Sequence, residues 1–381
     1  MRTRPPPDPT RLTDGARALA LVLPLVLASA CGDLKVGQDV DGGSDAGAQP
    51  PPSDGGGADA GLDVRVDALA TGRSRVGARS TAGFKPWRGG LAVRGDRVYW
   101  VESGAQPGLY GVPVEPCASP ATCAERLAPL TRPSAFATSQ DHAVVADVTT
   151  IKRFAFADAA SGKSETVASH TEEIVNLATE AGAGPAKVFW TAGTDGAIRF
   201  TTVGGTTSTP IHSNGTPVAT AVAAGRLFWA GVDLSGQTGA LQSIGTNGTG
   251  AREVSRFQGG LSAMGGNGTY LYYAKGLPSE IHRVTVSSGR DETLDREALG
   301  VTDFALDDTY ATWTEPGDAP DYANGRVRRI AHDSTTPEVL AVSVPLPVAV
   351  AVDGARVVVA SAGTRAAAYA DGKILRLTLT R

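Results

Sequence analysis

A short apolar triplet recurs seven times along this chain, and no other feature restricts its fold as much. The copies are VYW at 98–100, AVV at 143–145, VFW at 188–190, LFW at 227–229, LYY at 271–273, ATW at 311–313 and VVV at 357–359. The last residues of successive triplets are separated by 45, 45, 39, 44, 40 and 46 positions. A period of about 40 to 50 residues marks a unit too small to bury its own core, stacked on copies of itself. Each copy has the same order: a small-residue or alternating segment, a tight turn, the triplet, a polar loop and a third apolar strand, and all but the last continue to a fourth. The segments AVRGDR, AVAAGR and MGGNGT carry the Gly and Asn that two-residue hairpin turns demand. Asn267-Gly268 is expected to form a type I′ turn.

Four antiparallel strands per period and seven periods predict an all-β chain, a seven-bladed β-propeller of four-stranded antiparallel blades. The middle strands of a blade are covered on both faces, so they can be apolar without alternation. Large aromatics fill the wedge that widens away from the axis. The last repeat stops at its third strand, KILRLTLT at 373–380, whereas the six earlier ones reach a fourth: ERLAPL, SETVAS, TSTPIH, AREVS, DETLD and PEVLAV. The alternating segment GLDVRVDALA at 61–70 is expected to supply the missing outer strand, which closes the ring and removes an exposed edge. The propeller is therefore assigned to 62–381.

Residues 1–30 read as a signal peptide. Arginines up to Arg17 precede the apolar run ALALVLPLVLA at 18–28, too short to cross a bilayer core of about 30 Å as a helix. The run ends in LASAC at 27–31, which resembles the bacterial lipobox. That resemblance implies cleavage before Cys31, diacylation of its thiol and attachment to a membrane through the lipid. Ordinary secretion, with cleavage after Ala30, is the other reading of the same run. In enterobacterial sorting an Asp directly after the lipidated Cys retains the protein in the inner membrane. Gly32 stands there, so the resemblance implies the cell envelope with the outer membrane favoured. Residues 31–61, rich in Gly, Asp, Ala, Pro and Ser, offer too little apolar surface to offset the entropy of ordering. They read as a disordered linker with a reach of roughly 30 Å. Asp39, Asp41 and Asp45 within it lack the spacing of a calcium loop.

With 35 basic and 39 acidic residues the chain has no excess of positive charge, which argues against a nucleic-acid partner. It contains no G-x-S-x-G elbow, no H-E-x-x-H and no Walker loop. Cys117 and Cys123, in EPCASPATCAER, are expected to pair as a disulfide in an oxidising envelope. A zinc site there would lack a nearby His and the usual spacing. The Asn-Gly-Thr triplets at Asn214, Asn247 and Asn267 and the tripeptide Arg94-Gly95-Asp96 read as turn chemistry. In a ring of blades, the loops from second to third strand share one face with the links between blades. That face is expected to collect Glu102, Asp147, Asp195, Asp233 and Glu315, together with His170, Glu172, Glu173 and His212. Such an acidic rim could bind a divalent cation or a basic ligand at the channel mouth. A solvated acidic face is the plain alternative, and Lys275 interrupts the pattern. No other cofactor is expected.

The segments YWVES at 99–103, FWTAG at 189–193 and TWTEP at 312–316 resemble the repeats of YWTD-type propellers and of related bacterial propeller lipoproteins. The likeness covers 90–381 and implies the blade rather than an activity. The chain departs from that group in lacking its Asp at the fourth place and in having seven copies where the group has six. It also lacks the repeated motif of quinone-dependent dehydrogenase propellers and the repeats of the barrel-assembly lipoprotein. Three functions follow as expectations. The first is a lipid-anchored, non-catalytic binding or scaffold module with an envelope protein partner. The second is a metal-assisted lyase or hydrolase on the acidic face, resembling the seven-bladed streptogramin lyases with their His and Glu pair. The third is a structural component of an envelope assembly or export machine.

Overall fold

The computed structural model describes residues 63–380 apart from 74, 78–89, 181–185, 194–195, 203–204, 206–207, 213–215, 233–237 and 277–278. The signal peptide, Cys31, the linker, Asp195, Asp233 and Asn214 lie outside the described residues, and His212 is described in its backbone alone. The propeller body consists of seven four-stranded antiparallel sheets.

From inner to outer strand, blade 1 is Leu91–Arg94, Arg97–Glu102, Gly108–Pro113 and Glu125–Pro129. Blade 2 is Pro133–Thr138, His142–Asp147, Thr150–Ala155 and Glu165–Ser169. Blade 3 is Ile174–Thr179, Lys187–Ala192, Ile198–Thr202 and Thr209–His212. Blade 4 is Thr216–Ala223, Arg226–Val232, Thr238–Gly245 and Arg252–Gln258. Blade 5 is Leu261–Gly266, Tyr270–Lys275, Ser279–Thr285 and Arg290–Ala298. Blade 6 is Asp303–Leu306, Tyr310–Glu315, Gly325–Ala331 and Glu338–Val344. Blade 7 is Pro347–Asp353, Arg356–Ser361, Gly372–Thr380 and, as its outer strand, Asp63–Arg73 from the other end of the chain.

All seven triplets lie in second strands, where each is sandwiched between two sheets. Their final aromatics are fully enclosed: Trp100, Trp190 and Trp313 expose nothing, and each packs against the preceding blade. Trp190 meets Val144 and Ile151 of blade 2, Trp229 meets Phe189 and Ile198 of blade 3, and Trp313 meets Tyr272 and Ile281 of blade 5. Trp100 meets Val348, Ala360 and Ile374 of blade 7, so the first blade is packed against the last. Polar side chains at the starts of inner strands tie neighbours together. The Ser134 hydroxyl donates to the Ile174 carbonyl at 2.6 Å, and the Thr302 hydroxyl donates to that of Pro347 at 2.7 Å.

One turn differs from its expectation. Neither Asn267 nor Gly268 adopts a positive φ, so the hairpin there is not type I′. Instead the Asn267 side-chain carbonyl accepts the Thr269 and Tyr270 amides at 2.9 and 2.8 Å. Asp307 does the same in blade 6 for Thr309 and Tyr310. A short acceptor that caps its own turn relieves the need for a left-handed residue. In blade 4 the corresponding turn, Ala224-Gly225, does have two positive φ values, 45° and 70°.

Closure at blade 7 involves more than strand pairing. Asp63–Arg73 runs antiparallel to Gly372–Thr380 with irregularities between Ala68 and Ala70 and between Ala70 and Arg73. The first shift turns both Leu69 and Ala70 into the core at 0% exposure and leaves Val66 outside. Past the strand, Val76 bridges Glu102, and the Gly77 amide donates to Val101 of blade 1 at 2.8 Å. The same segment therefore belongs to blade 7 and then straps blade 1. Cys117 and Cys123 are bonded to each other, which removes both thiols as metal ligands. Their loop touches the closing strand where the Thr71 amide donates to Pro120 at 3.2 Å.

Candidate functional site

The sequence placed an acidic rim at the ends of the second strands, and cross-strand register decides what became of it. The residue opposite the last position of each triplet is polar in blades 1 to 6: Tyr110, Lys152, Arg199, Gln242, His282 and Arg328. An acid two places beyond the triplet projects to the same side of the sheet, because strand side chains alternate. Acid and cation therefore meet inside the seam.

Glu315 shows this most fully. It is 0% exposed, accepts the Trp313 indole N–H at 2.9 Å, and faces Arg326 Nε and Arg328 Nη1, each at 3.1 Å. Arg328 also lies over the Trp313 ring, 5.3 Å from its centre, and bonds Asp295 at 2.7 Å. Glu102, 3% exposed, repeats the arrangement: Trp100 donates to it at 2.8 Å and Arg73 at 2.6 Å. Here the cation comes from the closing strand. Asp147 accepts the backbone amides of Thr131 and Arg132, both at 2.8 Å, and pairs with Lys152 at 2.7 Å. In blade 5 the polarity is inverted, since Lys275 stands where the acid would be and sits opposite Glu280, 3.7 Å away. Lys275 thus continues the pattern of second-to-third-strand ion pairs with the signs exchanged.

These three carboxylates are counterions within the wall, and none of them lines the central cavity. His170 lies in the link from blade 2 to blade 3, accepts the Glu172 amide at 3.1 Å, and meets the Trp190 ring edge-on at 5.4 Å. Arg199 covers the same ring at 5.4 Å. Blade 3 has Ala192 where blades 1 and 6 have Glu, and the Trp190 indole N–H has no hydrogen-bond partner among the described residues. Glu173 is within 3.2 Å of Arg132. The backbone of His212 pairs with Ile198 in the outer strand of blade 3. The cations Arg73, Lys152, Arg326 and Arg328 were missed by sequence reasoning. Only the pairing register marks them, because each meets its acid from another strand.

All seven inner strands surround the central cavity, which has a volume of about 430 Å³. Its wall consists largely of Ala, Val, Leu and backbone, with Arg94, Thr138, Asn176, Thr220, Ser262, Thr302 and Asp303 as polar members. Asp303 accepts the Val350 amide at 3.0 Å, and Arg94 donates to the Val93 carbonyl at 2.8 Å and the Thr138 hydroxyl at 3.2 Å. Among the described residues no three His, Cys, Asp or Glu side chains stand in a metal-binding group.

A second cluster is hidden between blades 4 and 5. His282, 5% exposed, stacks on Tyr273 and lies between Asp291 at 3.1 Å and Glu280 at 3.3 Å. Tyr273 donates to the other Asp291 oxygen at 2.6 Å. Burial pushes the Asp291 carboxyl up, but the His282 and Tyr273 hydrogen bonds outweigh it and hold the carboxyl below its ordinary value. The His282 hydrogen bond likewise holds Glu280 down. Both carboxyls bind protons less readily folded than unfolded. Their contribution to stability is complete above the ordinary carboxylate range and fades as pH falls through the lowered folded values. Urea midpoints measured from neutral pH down to about 3 should therefore fall less steeply in Asp291→Asn than in the natural chain. Equal slopes would contradict the role assigned to Asp291.

The fold that emerges from the strand order is a seven-bladed β-propeller. No family model matches the chain, and no curated protein matches it. Among solved structures, it is similar to a hydrazine synthase of Kuenenia stuttgartiensis, with 10% identity and a TM-score of 0.53 over 80% of this chain and 97% of that one. It is also similar to a puromycin-hydrolyzing peptidase of Mycobacterium tuberculosis, with 13% identity and a TM-score of 0.54 over 78% of this chain and 51% of that one. A third likeness, to a nidogen/laminin complex, has 16% identity and a TM-score of 0.45 over 58% of this chain and 85% of that one. At such identities the first two speak for the fold alone.

Proposed function

We propose that the chain is a lipoprotein of the cell envelope, cleaved before Cys31, whose propeller serves as a non-catalytic binding or scaffold module for an envelope protein. One observation carries the non-catalytic part: Glu102, Asp147 and Glu315 are each held by indoles, amides or cations of the blades themselves. A carboxylate already neutralised in a packed seam is poorly placed to ligate a cation or move a proton. The anchoring part rests on LASAC at 27–31 and on the Gly- and Asp-rich stretch after it. Gly32 after the cysteine favours delivery to the outer membrane.

The test has two arms. Labelled palmitate should enter the natural chain expressed in a bacterial host and be absent from Cys31→Ser; label in both would remove the lipoprotein reading. Metal analysis of the purified chain, before and after His170→Ala and Glu315→Gln, addresses the catalytic alternative. Stoichiometric metal lost in either variant would replace the binding module by a metal-assisted enzyme.

A further inference from the structure

The face bearing the first hairpin turns holds two arginines whose hydrogen-bond acceptors among the described residues are all neutral. In blade 4, Phe228 pairs with Ser243, and Ser243 with Arg252. Antiparallel partners project to the same side of a sheet, and Arg226 precedes Phe228 by two, so Arg226, Ser243 and Arg252 share one side. It is the side packed on blade 5, since Phe228 clusters with Leu271, Tyr273 and Val284. The two guanidinium groups thus stand together at the turn end of the blade 4 to blade 5 seam.

Arg226 donates through Nε and Nη2 to the Ser243 hydroxyl at 3.3 and 3.1 Å, and through Nη2 to the Gly250 carbonyl at 2.6 Å. Arg252 reaches across the seam and donates to the Val286 carbonyl at 3.2 Å. Ser243 is fully buried, which fixes one guanidinium in place. Neither arginine has an ion pair among the described residues. The acids nearest in sequence and register are engaged elsewhere: Glu253 by Arg256 at 2.7 Å, and Asp291 by Tyr273 and His282. Burial, and then the adjacent Arg252 charge, pull the Arg226 guanidinium below its ordinary value. Two like charges set side by side without an acid repel each other, and a bound anion removes that repulsion.

We propose that Arg226 and Arg252 form an oxyanion site that takes a phosphate group. Guanidinium is planar, stays charged at any working pH, and presents paired N–H donors that match phosphate oxygens. Arg226 Nη1, and Arg252 Nε and Nη1, are not used in the bonds named above. Arg252 is exposed, so the site is open to solvent. The inference is independent of the lipid anchor and of the unidentified envelope partner.

Inorganic phosphate titrated into the purified chain at constant ionic strength, followed by thermal unfolding, tests the site directly. It should raise Tm beyond any effect of chloride, as selective binding to the folded state requires. The apparent affinity should fall about tenfold or more in Arg252→Gln and Arg226→Gln. Arg252→Gln changes an exposed side chain and is the variant that preserves the fold. A parallel arm uses the Cys31→Ser chain, which cannot carry the lipid, with vesicles of phosphatidylglycerol against phosphatidylcholine. Sedimentation with phosphatidylglycerol alone, lost in Arg252→Gln, assigns the phosphate to a lipid headgroup; a response to free phosphate without sedimentation assigns it to a soluble phosphate ester. The proposal is overturned if neither occurs, or if Arg252→Gln responds as the natural chain does.

Discussion

A chain lacking residues 63–77 is expected to unfold without a cooperative transition. Blade 7 would keep three strands, and the backbone of Gly372–Thr380 would become an open edge. Three fully buried side chains, Leu69, Ala70 and Val76, would leave the seam between blades 7 and 1. Glu102 would lose Arg73, its one cation among the described residues, and Arg376 would lose Asp67 at 3.1 Å while keeping Glu115 at 2.8 Å. Unpaired buried charges are among the costliest defects a fold can carry. A milder change separates closure from general damage. Leu69→Ala should lower stability by about 2–5 kcal/mol, as deletion of a buried leucine does elsewhere. Val66→Thr lies on the same strand at 50% exposure and should stay within about 0.5 kcal/mol. Denaturant midpoints read the difference directly. If Leu69→Ala were as mild as Val66→Thr, the N-terminal strand would be a passive addition to a ring already stable without it.

Glu315→Ala is the second large effect, with an expected loss of about 3–5 kcal/mol. The substitution leaves Arg326, Arg328 and the fully buried Trp313 indole without their shared acceptor. Glu315→Gln retains an oxygen for the indole but not the charge, so it should recover part of the loss. Trp313 fluorescence follows both changes, since the reporter is itself a partner. A carboxylate serving as a metal ligand predicts the reverse: metal binding lost, with stability little changed. The outcome for Glu315 therefore decides between a wall and a site at this position.

The blade pattern was legible because burial repeats with the chain. A strand covered on both faces must be apolar whatever its neighbours are, so VFW at 188–190 marks a second strand before any partner is known. The alternation at 61–70 was legible in the same way, although the shift that buries both Leu69 and Ala70 was not. A bulge is a local response to packing, and no residue in that segment announces it. The turn at Asn267 was misread because Asn-Gly suits two geometries. Choosing between them depends on whether the side chain turns back onto its own amides.

The acidic rim was legible as residue types, whereas the partners that hold its carboxylates were not. Glu102, Asp147 and Glu315 do recur at one structural position, as their spacing from the triplets implied. Their environment depends on cations that other strands deliver: Arg73 is 29 residues from Glu102, and Arg328 is 13 from Glu315. The amino-acid sequence by itself determined the period, the number of blades, the place of each second strand and the need for a strand from the other terminus. These follow from burial counted along one dimension. Only the tertiary structure decided which charges are buried together and which, among the described residues, stand without an acid. Ion pairing is a property of register and closure, and neither exists until the ring has formed.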